Sequence, residues 1–142
     1  MVQKDAVPLG IGLAILVLAV LLTAAAVGMD SGAVAASERW VAFVDSEKYG
    51  ESWDEAASFF RSSIGKGNWD ALLRTVRQPL GKVLSRRIRE TSIEENIPGM
   101  TGGKYVAVVF ETALEHHGAA VETLVAVLEG DGLWRVAGYC IH

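Results

Sequence analysis

Cysteine is almost absent from this chain of 142 residues, with Cys140 the only one. A lone thiol excludes an intrachain disulfide and a cysteine-cage metal site. With no cysteine after the N-terminal hydrophobic stretch, lipid attachment of the bacterial lipoprotein kind is excluded too. Between Tyr139 and Ile141 in an apolar run, Cys140 reads as a core residue, not a nucleophile. A concentrated basic patch is also missing: the formal net charge is −4 and the lysines and arginines are scattered. Without that footprint for phosphate backbones, nucleic acid is not a partner. The one local exception, Arg86, Arg87 and Arg89, is followed by Glu90, Glu94 and Glu95 and reads as a solvated strand face.

Three histidines are too few and too dispersed for a metal reading. His116 and His117 are adjacent, so in an extended chain they point to opposite sides, and His142 is terminal. The glycine-rich stretch of residues 98–103 precedes a strand pattern where a phosphate cradle requires a helix N-terminus, so it is a turn. No metal and no cofactor are expected, and no internal repeat appears.

What is present begins with a long apolar run. Residues 8–28 carry no charge, about the twenty residues a helix needs to cross a bilayer. Lys4 precedes the run while Asp30 and Glu38 follow it, a bias that keeps the N-terminus cytoplasmic and sends the rest across. The sequence therefore predicts a transmembrane anchor over residues 1–29, a small-residue linker over 30–35 and one domain over 36–142. A cleaved secretory signal is the alternative, with Ala33-Val34-Ala35 supplying the small residues, and would leave a secreted domain. Either way the domain faces the periplasm or cell exterior.

Within that domain the pattern predicts three short helices followed by strands. Trp40, Val41, Phe43 and Val44 collect on one side of a first helix ending near Tyr49-Gly50. Ser52 and Glu55 have capping-box spacing and open a second, carrying Trp53, Ala56, Ala57 and Phe60. Asn68 caps a third, which the Pro79-Leu80-Gly81 turn stops. Thereafter glycines punctuate runs rich in valine, threonine and aromatics, the last three read as an antiparallel meander, with an earlier strand within residues 82–95 completing a four-stranded sheet. In the second of these, Val106, Val108, Phe110 and Leu114 form one apolar face. The class is α+β, with three short helices packed on a curved four-stranded antiparallel sheet.

The residues Trp40, Asp45, Tyr49, Ser52-Trp53, Trp69, Arg77, Pro79-Leu80-Gly81, Ser85-Arg86, Pro98-Gly99, Gly103-Lys104-Tyr105, Glu122-Thr123 and Trp134 through Tyr139 resemble the bacterial DUF4019 family over nearly the whole domain. The resemblance implies a bacterial, often exported domain and brings no cofactor or catalytic residue; with the apolar run of residues 8–28, the expected location is the bacterial cytoplasmic membrane. The helix-then-sheet order is also similar to the NTF2-like cone, a shell that hosts enzymes and pure binding modules alike.

Candidate chemistry is sparse. Asp45 and Tyr49 could serve as base and acid facing one cavity, as a small lyase or isomerase would need; otherwise Asp45 pairs with Arg77 and Tyr49 packs beneath the next helix. Glu111 and Glu122 flank the histidine hairpin, with Arg86 or Arg135 able to pair with them across the sheet. Trp53, Trp69 and Trp134 line a pocket mouth or fill the core. Candidate ligand-binding residues are thus Trp53, Arg77, Arg86, Glu111, Glu122 and Arg135. The function expected is a membrane-anchored module, non-enzymatic, that binds a small molecule, a peptide or, through its sheet, a second copy. The alternative is the Asp45/Tyr49 enzyme.

Overall fold

The computed structural model describes residues 31–95, 97–100 and 103–142. The apolar run of residues 8–28, and with it the expected anchor, lies outside them. Among the described residues no helix is long and apolar enough to cross a membrane.

Helix α1, Ser31–Asp45, takes in residues 31–35, which the sequence read as a linker. Alanine-rich stretches favour helix, and Ala33 and Ala36 are buried in the core, so packing and propensity agree. At its C-terminus the Lys48 N–H donates to the Phe43 carbonyl at 2.8 Å and the Glu47 N–H to the Val44 carbonyl at 3.1 Å. This paired closure normally places glycine in the left-handed position. Glu47 occupies it instead, at φ 60°.

Helices α2 (Tyr49–Asp54) and α3 (Ser58–Ser63) stand where one helix was expected. A tertiary bond separates them, because the Ala57 N–H donates at 2.8 Å to the Val136 carbonyl on the last strand. Ser52 lies inside α2 and is no cap: its hydroxyl donates to the Tyr49 carbonyl at 2.6 Å. Helix α4 (Lys66–Val76) starts two residues before Asn68, behind Gly65, and passes into a 3-10 turn at Gln78–Leu80. The described chain therefore has four α-helices, not the three expected after the anchor.

Strands β1 (Val83–Glu94), β2 (Lys104–Leu114), β3 (Gly118–Leu128) and β4 (Trp134–Ile141) form an antiparallel sheet in sequence order. The strands and their meander match the sequence expectation closely. Strand β1 lies at an edge and is interrupted by register shifts between Val83 and Ser85 and between Ile88 and Glu90. Burial in β2 exceeds the simple alternation, running without a break from Tyr105 to Phe110.

The core centres on four rings. Phe60 and Trp69 meet edge to face at 4.8 Å, and Trp40 lies 5.4 Å from Tyr139. Such pairs add about 0.5–1.5 kcal/mol each beyond area burial. Ser52 satisfies both buried indoles, its carbonyl accepting from Trp40 Nε1 at 2.7 Å and its hydroxyl from Trp69 Nε1 at 2.9 Å.

Gly81 follows the 3-10 turn with φ 84° and ψ −165°, a conformation open essentially to glycine alone. A Cβ there would sit 2.7 Å from His116 Cδ2 and 2.9 Å from Glu115 Cβ. Gly81→Ala is expected to lower stability by about 1–3 kcal/mol from backbone strain, with the clash adding to it. Urea denaturation of the purified chain measures this.

Candidate functional site

The most concentrated polar chemistry lies where the end of α1 meets the helix-covered face of the sheet. Asp45 is the last residue of α1. Glu122 on β3 is two residues from Leu124, whose strand partner Tyr139 touches Trp40, so Glu122 shares the helix-covered face. On β1, Arg86 pairs with Thr112 across the sheet.

Arg86 joins them. Its Nη1 and Nη2 donate to the two Asp45 oxygens at 2.6 and 2.9 Å, a bidentate fork. Its Nε and Nη2 reach Glu122 Oε1 at 2.9 and 2.8 Å. The Thr112 hydroxyl donates to the same oxygen at 2.6 Å, and the Tyr139 phenol donates to Glu122 Oε2. Arg77 completes the set, donating from Nη2 to Asp45 at 3.3 Å and from Nη1 to the Gly81 carbonyl at 2.9 Å, while its Nε is buried without a partner.

Burial decides what this network is worth. Glu122 is fully buried, the Arg86 side chain is 14% exposed and that of Asp45 26%. An ionised carboxylate so placed survives only if paired and fully hydrogen-bonded. Burial by itself would lower the Arg86 pKa, but the hydrogen bonds and charges of Asp45 and Glu122 outweigh it and raise it. Tyr139 is pushed well above an ordinary phenol by burial, reinforced by the Glu122 charge and the hydrogen bond to it. Two cations and two anions balance, and each carboxylate oxygen accepts at least one hydrogen bond.

Of the residues singled out from sequence, Asp45, Arg77, Arg86 and Glu122 converge. Tyr49 does not join them. The closure at Glu47 turns the chain away from Asp45, and the Tyr49 ring is buried 5.5 Å beneath the Arg74 guanidinium, its pKa raised chiefly by burial. Glu111 and Glu122 are not opposite one another: Glu111 pairs with Val121, and Glu122 with Phe110. Residues offset by one point to opposite faces, so Glu111 lies on the other face, bonded to Arg87. Arg135 is committed to the β3–β4 turn, at 2.7 Å from Glu129 and 2.9 Å from Asp131. Trp53 is half-buried and donates to the Ile64 carbonyl at 2.7 Å. Thr112 and Tyr139 were not anticipated, although Thr112 continues the Val106, Val108, Phe110 face.

A groove of about 460 Å³ opens at the β2–β3 hairpin end, with Arg87 and Glu111 along one side, Val121 and His142 along the other, and Ala113 and Ala119 between. His116 and His117 lie apart from it in the exposed hairpin turn, whereas the His142 backbone pairs with Val121.

A family model for proteins of unknown function, DUF4019, matches residues 36–139. The chain belongs to the DUF4019 family. Among curated proteins none matches it. A solved structure from Shewanella frigidimarina NCIMB 400, assigned as a ketosteroid isomerase, superposes with a TM-score of 0.50 at 16% identity, covering 83% of this chain and 100% of that one. At that identity the likeness shows the fold alone, an NTF2-like arrangement, and this DUF4019 chain takes no activity from it.

Removing Arg86 leaves Glu122 buried and unpaired. Arg86→Met is expected to destabilise by about 3–5 kcal/mol, and adding Glu122→Gln to recover part of that loss, both read from urea denaturation. The raised Tyr139 pKa carries a pH dependence of known sign. Its contribution is complete below the ordinary phenol value of 10.0 and is lost as pH rises toward the folded value. Thermal melting should therefore fall above about pH 10, and Tyr139→Phe should make that fall shallower, with Tyr49 and Tyr105, whose values are also raised, leaving a residual slope.

Proposed function

We propose that this chain is a membrane-anchored extracytoplasmic module that binds a small molecule or protein partner and performs no catalysis. The observation that carries the non-enzymatic reading is the state of Asp45. Asp45, the carboxylate the sequence offered as base, is clamped by Arg86 and Arg77, and its expected acid partner, Tyr49, is turned away beneath Arg74. General acid–base work needs a proton acceptor within reach of substrate and not already saturated. The middle of the helix-covered face, where a substrate would enter, is filled by Trp40, Phe60, Trp69 and Tyr139.

Binding is better served by the hairpin-end groove. Its mixed apolar wall and the Arg87–Glu111 pair on its rim suit a small amphipathic ligand or an extended peptide. Anchoring is supported by the uncharged run of residues 8–28 and the charge bias around it.

Native mass spectrometry of the full chain, extracted in mild detergent from bacterial membranes, tests both halves. The expected result is a membrane-fractionating chain that carries an additional mass released on denaturation. Recovery in the cytosolic fraction overturns the anchoring, and an empty monomer overturns the binding role.

A further inference from the structure

The end of the domain away from the arginine–carboxylate network carries poorly covered apolar surface. Lys104, Leu128 and Trp134 form one row across β2, β3 and β4 at that end. Leu133, just before the row, is 56% exposed. Trp134 is half-buried, and Lys104 Nζ lies 5.9 Å over its ring. The opposite end, around the β2–β3 turn, exposes Glu115, His116 and His117, with Leu84 68% exposed on the β1 edge but, among the described residues, no tryptophan beside it.

Helix α1 begins at this apolar end. Ala36, Arg39 and Phe43 share a groove of about 530 Å³ with Leu133 and Trp134, whereas Asp45 at the other end of the helix reaches Arg86. Ser31 lies five residues before Ala36, about 7.5 Å further along the helix axis, away from Asp45. The uncharged run stops at Gly28, and only Met29 and Asp30 separate it from Ser31. Even fully extended, that connection spans about 10 Å.

We infer that the β3–β4 end of the domain rests on the lipid surface, with Leu133 at the headgroup boundary and Trp134 and Lys104 beside it. The inference rests on the anchored reading of residues 8–28. A tether this short leaves the start of α1 within about 10 Å of the bilayer, and Leu133, 56% exposed, stands in the part of the domain beside it. Tryptophan and lysine are the residue types that partition to such a boundary, the ring amphipathic and the amine reaching water along an apolar stem. The acidic groups of the turn oppose contact little. Arg135 holds both Glu129 and Asp131, and Ser58 donates a backbone and a hydroxyl bond to Glu129 at 2.9 and 2.8 Å.

The test uses the full chain in phosphatidylcholine nanodiscs. An environment-sensitive fluorophore is placed through Leu133→Cys, or as a control through Ala119→Cys at the exposed hairpin end, each with Cys140→Ser. Nitroxide-headgroup lipid should quench the probe at position 133 several-fold more than that at 119. Equal, weak quenching in chains that remain in the discs overturns the docking and leaves the anchor standing. A probe shielded from aqueous iodide but untouched by the nitroxide lipid indicates a protein contact and also overturns it. Chains that do not enter the discs overturn the anchored reading and this inference together.

Discussion

One guanidinium holds this domain in register. Arg86 sits on a strand that pairs with β2 alone among the described residues, yet it bonds to the end of α1 and to a carboxylate on β3. Sliding β1 by a single residue would carry Arg86 to the opposite face. Glu122 would then be a sealed, unpaired charge, and Asp45 would keep only its longer contact to Arg77. A hydrophobic replacement could fill the same volume but would accept several registers and helix positions. The polar cluster accepts one, since each of its bonds constrains a different element.

The same groups show why a carboxylate, a phenol and two arginines close together do not make an active site. Reactivity needs a group held away from its most stable state, or a lone pair left for the substrate. Here the bonds occupy every carboxylate oxygen: Glu122 receives Arg86, Thr112 and Tyr139, and Asp45 receives two arginines. The electrostatics of the cluster serve placement, and the surfaces open to contact lie elsewhere, at the hairpin groove and the β3–β4 end.

The strands were legible because their signals are local. Valine- and threonine-rich runs bounded by glycine placed the last three and their meander, and the run after Gly81 placed the first. The helices were less so because their limits are set across the fold. Nothing near Ala57 announces that its N–H will bond to Val136, and without that bond α2 and α3 read as one. Ser52 has the spacing of a cap, but the groups it satisfies are indoles brought in by α1 and α4. The pairing of Asp45 with Arg77 was visible as the bland alternative to catalysis. Thr112 and Tyr139 escaped because a threonine among valines and a tyrosine in an apolar strand look like ordinary sheet formers. Following the face that begins at Val106 down to position 112, and across to its partners, would have found the first.

The register shifts in β1 bear on how neighbouring molecules behave. An exposed edge strand offers unpaired backbone groups to any chain that drifts alongside, and a flat, regular one acts as a template for sheet growth. Two irregularities within one strand break that template into short pieces. The charged side chains of Arg87 and Arg89 add a solvated fringe along it. Copies crowded side by side thus find no continuous ladder to extend, and the domain keeps its four-stranded sheet from becoming the seed of a larger one.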